Sequence, residues 1–196
     1  MAFVKMFKGT LSVNFHQSIS EMKVTYAAAA SLDGFIAREN GDVSWLDDMN
    51  ISEDDSGVET FFNSVDGLVM GRNTYDFVFD YGAWPYADKP TWVFTHRDLT
   101  RLDGANLIVA TDINDAIHEA GEKGLKHLWL VGGGQLASLF LAKKLLTHVS
   151  ISEMPIKLGL GIPLFADQTL EDISAEERNI VDKNGFRQIE VVIKRD

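Results

Sequence analysis

The 196-residue sequence contains no cysteine. That excludes disulfides, thiolate metal sites and sulfur nucleophiles, and it fits a reducing compartment. No apolar run approaches the roughly 20 residues needed to span a bilayer. The opening stretch MAFVKMFKGTLSVNFHQSISE also lacks the continuous apolar segment of a secretory signal, so a cytoplasmic protein is expected. Basic residues are scarce: 18 Lys and Arg face 29 Asp and Glu, for a formal net charge of -11. Such a surface repels phosphate backbones and anionic lipid outside any local basic pocket, which argues against nucleic-acid and membrane partners. Also missing are the GxxxxGK[ST] phosphate loop, the GxSxG elbow and the HExxH pair, while the five histidines are scattered at positions 16, 96, 118, 127 and 148. Neither serine hydrolysis nor a metal site finds support.

What is present is enough apolar material, 45% of the residues, for one sizeable core in a chain short for two domains. A second methionine, Met22, stands directly before a strand pattern, so residues 1–21 are expected to form an extension outside a single domain spanning 22–196.

Lys23 to Ser31 (KVTYAAAAS) reads as a buried strand, followed by turn chemistry at Leu32-Asp33-Gly34 and by Phe35-Ile36-Ala37. Ser52 and Asp55 form a variant capping box for a helix with an apolar stripe of Val58, Phe61, Phe62 and Val65, which Asp54 and Asp55 extend N-terminally. Short strands are expected at 67–70, 91–95 and 107–110, and Thr111 or Asp112 can cap a helix with an inner stripe of Ile113, Ala116, Ile117 and Ala120. His127 to Val131 is a strand running into Gly132-Gly133-Gly134, and Gln135 to Leu146 has helical periodicity through Leu136, Leu139, Phe140 and Lys143. A strand at 148–153, a Pro/Gly-rich loop at 157–165 and one last alternating strand at 186–194 complete the chain. Strands alternating with helices imply an α/β fold with a largely parallel sheet.

The glycine triplet between strand and helix carries the strongest local signal. Glycine lets backbone amides approach a phosphate, and a helix N-terminus favours negative charge; the plain alternative is a tight turn. Gly132-x-Gly134-x-x-Ala137 also satisfies the Rossmann pattern, with Glu153 where a ribose-binding acid is expected, but too few strands follow it for that fold. Two further strand ends carry anion-suited groups, Arg72 with Thr74 and His96 with Arg97. Ligands of open parallel sheets gather at strand carboxyl ends, so Gly71, Thr95 and Gly132 can converge on one extended cofactor. NADPH, with its extra phosphate, fits two basic contacts.

The segments AAAASLDGFIA at 27–37, LVMGRNTYDF at 68–77, VFTHR at 93–97, LVGGGQL at 130–136 and GLGIPLF at 159–165 occur in an order that resembles the dihydrofolate reductase-like superfamily. The likeness is to the reductase-domain family of riboflavin biosynthesis (RibD C-terminal domain) and its stand-alone members. The resemblance implies a three-layer α/β/α fold with an antiparallel C-terminal strand. It also implies that Gly71, Arg72, Asn73, Thr74, Thr95, His96 and Arg97 hold the adenosine phosphates of NADPH. Gly132, Gly133, Gly134, Gln135 and Leu136 would cradle the pyrophosphate, and Ala28, Ala29, Ile36 and Ala37 would line the nicotinamide.

Such a reductase needs its substrate polarised or protonated, and Asp55 is the preferred carboxylate, with Glu59 at i, i+4. The competing use of Asp54 and Asp55 is to favour the helix N-terminus. Asp33 and Trp45 sit in the loop expected over nicotinamide and substrate, and Phe61 or Phe62 can stack on a planar heterocycle. No zinc-binding deaminase domain precedes the reductase segments, which leaves the substrate open. The resemblance implies hydride transfer to a heterocycle such as the ribosylaminopyrimidine of riboflavin synthesis, and a homodimer. Rival readings are folate or pterin reduction, a nucleotide-binding module without turnover, and a flavin in the nicotinamide's place.

Overall fold

The computed structural model describes residues 22–49 and 57–195. These residues form ten strands: β1 (Lys23–Ser31), β2 (Phe35–Ala37), β3 (Gly67–Gly71), β4 (Thr91–Phe94), β5 (Leu107–Ala110), β6 (His127–Gly132), β7 (His148–Met154), β8 (Ile162–Pro163), β9 (Ala175–Asp182) and β10 (Arg187–Ile193). Among the described residues four α-helices join them: α1 (Val58–Ser64), α2 (Arg72–Asp80), α3 (Ile113–Glu122) and α4 (Gly134–Ala142). The main sheet runs β5-β4-β3-β6-β1-β7-β10-β9, and β2 pairs with β8 in a small second sheet. From β5 to β7 every pairing is parallel, whereas β10 is antiparallel to both β7 and β9.

Side chains alternate across a strand, and the two sheet faces pack differently. On one face Tyr26, Leu128, Leu130, Val149, Ile151 and Val191 meet Leu136, Ala137 and Phe140 of α4 and the Ile113, Ala116, Ile117 and Ala120 stripe of α3. Tyr26 is fully buried, edge-on to Phe165, and its hydroxyl donates to the Leu164 carbonyl at 3.1 Å. On the other face Met70 and Val93 pack with Tyr75 of α2 and with Phe79, Trp84 and Tyr86. Helices on both faces of a mostly parallel sheet give the expected α/β/α layering.

Several elements depart from expectation. Gly57, at φ 68°, caps α1, so the helix starts at Val58 and its stripe does not run back through Gly57. Ser52, Asp54 and Asp55 lie outside the described residues. None of the helix's side chains is buried and Val58 is exposed; Val65, just past the last turn, is the buried member. Helix α4 ends at Ala142, and Lys144 turns the chain at φ 58°. Leu139 and Lys143 are exposed, and the inner stripe is Leu136, Ala137 and Phe140. The C-terminal region holds two antiparallel strands where one was expected: β9 (AEERNIVD) is exposed along nearly its whole length and carries no buried face to betray it.

Candidate functional site

Strands β3 and β6 are neighbours, with Met70 opposite Gly132, and their carboxyl ends open into α2 and α4. Both helices begin after a glycine N-cap, Gly71 and Gly133, and neither has a side-chain cap or an acidic residue in its first turn. Helix α3, which follows the outer strand β5, is built otherwise. Asp112 caps it, accepting from the amides of Asn114 at 2.7 Å and Asp115 at 3.1 Å. The first-turn amides of α2 and α4 thus keep their donors for another acceptor, with the positive end of each helix dipole beside them.

The glycines stand close together. A Cβ on Gly71 would lie 3.8 Å from the Gly132 carbonyl oxygen and the Gly133 nitrogen, and one on Gly132 would lie 3.3 Å from the Thr74 hydroxyl. The Gly132–Gly133 peptide is cis. Gly134 has a different reason to be glycine: a Cβ there would collide with the Pro163 carbonyl and crowd that of Leu164, so it serves close packing against β8. Leu136 belongs to the core, while Gln135 and Asn73 are exposed in the first turns of their helices.

Arg72 opens α2. Its Nε donates to Asp76 Oδ1 at 2.6 Å and its Nη1 to the Asp98 carbonyl at 2.7 Å. Arg97 Nη2 lies 3.7 Å from the other Asp76 oxygen, so one carboxylate joins the two arginines expected from sequence. Thr95 shapes the turn after β4, its hydroxyl accepting from the Arg97 amide at 3.0 Å, and His96 is exposed. Gly71, Arg72, Thr74, Gly132 and Gly133 thus share the β3–β6 end, and Arg97 joins them through Asp76.

The expected nicotinamide and substrate residues are less united. Ala28 packs with the main core and Ala29 with a separate cluster of Trp45, Met154 and Phe186, so the two alanines face opposite sides of the sheet. Ile36 packs on the main core and Ala37 is buried. Trp45 is only 1% exposed and is a core residue, not a surface loop residue; its indole N–H has no acceptor among the described residues. Asp33 is a loop anchor: it accepts from the Ser31 hydroxyl at 2.6 Å, the Leu158 amide at 3.1 Å and the Gly159 amide at 2.8 Å. Burial works to raise its carboxyl, but these hydrogen bonds outweigh it and hold the group below the usual carboxylate range. Phe62 packs near Tyr86, with Lys89 Nζ 4.7 Å from its ring centroid, and Glu59 is exposed in the first turn of α1.

Sequence reasoning passed over Trp129. Its ring takes Phe61 and Tyr86 edge-on at 5.4 and 5.6 Å, and its indole N–H donates to the Ala27 carbonyl at 3.0 Å. The available signal was the aromatic content of positions 61–62, 84–86 and 129. Burial pushes the Tyr86 hydroxyl up to about 12. Glu153, the acid of the Rossmann alternative, is taken by Arg187. The glycine-turn strand β6 is central, and the chain after β7 is antiparallel, which sets that alternative aside. Among the described residues no group of three or more His, Asp or Glu could hold a metal ion, and no helix is long and apolar enough to cross a membrane.

A mixed, mostly parallel sheet with helices on both faces and antiparallel C-terminal strands is the fold of RibD reductase domains. The sequence matches the RibD C-terminal domain family over residues 22–184, and the chain belongs to that family. It is 35% identical over 157 residues to the uncharacterized protein YwjB of Bacillus subtilis (strain 168), covering 77% of this chain and 87% of YwjB. Among solved structures, a Shewanella sp. PV-4 protein assigned to riboflavin biosynthesis superposes with TM-score 0.72 at 30% identity, over 89% of this chain and all of that one. The Thermotoga maritima diaminohydroxyphosphoribosylaminopyrimidine deaminase/5-amino-6-(5-phosphoribosylamino)uracil reductase shares the fold, with TM-score 0.69 at 15% identity. This chain corresponds to 57% of its length.

Proposed function

We propose that this protein is an NADPH-dependent reductase acting on a small planar heterocycle, with 5-amino-6-(5-phosphoribosylamino)uracil the first substrate to test. The observation that carries the reading is the pair of helix N-termini at Gly71 and Gly133, uncapped by any side chain, beside Arg72 and Arg97. Free amides at a helix N-terminus bind phosphate oxygens, and absent Cβ atoms let a pyrophosphate approach the backbone. The donor set therefore fits a dinucleotide: Gly71, Thr74, Gly132 and Gly133 for the pyrophosphate, Arg72 and Arg97 for the further phosphate.

When bound, the nicotinamide supplies a hydride; the protein supplies position and electrostatics. In this reading Asp33 fixes the Leu158–Gly159 loop at the end of β1, and the Phe61, Trp129 and Tyr86 rings form an apolar wall that limits water beside the reacting heterocycle. The family relation supports the reductase class, and the substrate is the finer part of the proposal. The test follows NADPH oxidation spectrophotometrically with the pyrimidine and, in parallel, with dihydrofolate. Turnover of the pyrimidine alone supports the proposal, and turnover of dihydrofolate alone moves the protein to pterin reduction. NADPH binding without turnover of either leaves a nucleotide-binding module.

A further inference from the structure

The ion pair between Arg72 and Asp76 runs against the rules of helix stability. Arg72 occupies the first position of α2, where the helix dipole disfavours a cation, and the cation precedes the acid at i, i+4, the weaker order. A pair serving only the helix would be reversed. The same carboxylate also faces Arg97 Nη2 at 3.7 Å, which reaches it from the turn after β4. Arg72 is held on two sides, by Asp76 and the Asp98 carbonyl, and is one-fifth exposed, whereas Arg97 is 65% exposed. An exposed arginine is costly to fix in one place, and Asp76 is the acidic side chain that both guanidinium groups meet.

We infer that Asp76 is a positioning residue for cofactor selectivity: it gathers Arg72 and Arg97 into one fork that reads the phosphate distinguishing NADPH from NADH. This rests on the cofactor site proposed above. With Nε on Asp76 and Nη1 on the Asp98 carbonyl, Arg72 keeps its Nη2 donors for a ligand, and a planar fork with fixed donors recognises phosphate better than a mobile charge. Asp76 itself need not touch the cofactor.

The test is calorimetric titration of the full chain with NADPH, NADH and 2′,5′-ADP, on wild type, Asp76→Asn, Arg97→Ala and the double variant. The expected result is a fall in the NADPH-to-NADH affinity ratio of about tenfold in Asp76→Asn, with NADH affinity little changed and a parallel loss for 2′,5′-ADP. Asp76→Glu should restore most of the ratio. The Asp76→Asn and Arg97→Ala losses should be less than additive, because the first acts through the second. An unchanged ratio in Asp76→Asn, tighter NADPH binding there, or additive losses would overturn the inference while leaving the cofactor site intact. If Asp76→Asn binds neither nucleotide through misfolding, Asp76→Glu and Arg97→Ala carry the test: a ratio that Arg97→Ala leaves unchanged also overturns it. Failure of wild type to bind either nucleotide removes the proposed function itself.

Discussion

Asp33 takes up the Leu158 and Gly159 amides and the Ser31 hydroxyl, so removing its carboxylate strands donors at the end of β1. Asp33→Ala should lower stability by about 1–3 kcal/mol, read as a lower urea midpoint at unchanged slope; an unaltered midpoint would refute the anchor role. His148 offers a pH signature. Burial, with Lys23, His127 and Arg195 nearby, pushes its imidazole down to about 4 from an ordinary 6.5. Between those values the unfolded chain binds the extra proton, so stability is full above 6.5 and is lost as pH falls toward 4. His127 shifts in the same direction, by burial and Lys23, so it adds to the loss. His148→Gln should flatten the decline of the melting temperature between about pH 6.5 and 4.5, and melting curves falling in parallel with wild type would contradict this. The sequence exposes Asp33 as a turn residue but not its partners 125 and 126 positions away, because only folding brings them together.

At the scale of elements, glycines in one motif divide their work. Gly134→Ala places a methyl against the Pro163 and Leu164 carbonyls, and such overpacking should cost about 1–3 kcal/mol. Gly133→Ala meets nothing nearer than the Thr74 hydroxyl at 3.9 Å, so it should weaken dinucleotide binding more than stability. Paired denaturation and binding measurements separate the two, and equal stability losses would contradict the division. Asp112→Ala removes the cap of α3 and should cost about 0.5–2 kcal/mol, with nucleotide affinity unchanged. The elements legible in the sequence are those with a buried periodic face: β1, β6 and the α3 stripe all stand where the pattern puts them. The edge strand β9 was hidden because pairing with β10, not burial, makes it a strand. The start of α1 differs from expectation because the pattern of Ser52 and Asp55 reads as its cap, whereas Gly57, with a left-handed backbone, is the residue that caps it.

Across the whole molecule, an acidic chain of net charge -11 keeps two uncapped helix ends and a pair of arginines at one end of its sheet. The convergence of Gly71, Arg72, Thr74, Gly132 and Gly133 on one sheet end was legible because glycine turns and strand-end arginines are local signals. The surroundings of Trp45 and Ala29 were not, since they come from Met154 and Phe186 at the ends of β7 and β10, far along the chain. Calorimetric titration with NADPH and NADH, repeated on Arg72→Ala, tests whether the Gly71–Gly133 end holds a phosphorylated nicotinamide dinucleotide. Saturable binding that favours NADPH, with a preference that Arg72→Ala reduces, is the expected result; absence of binding by either nucleotide would contradict that assignment.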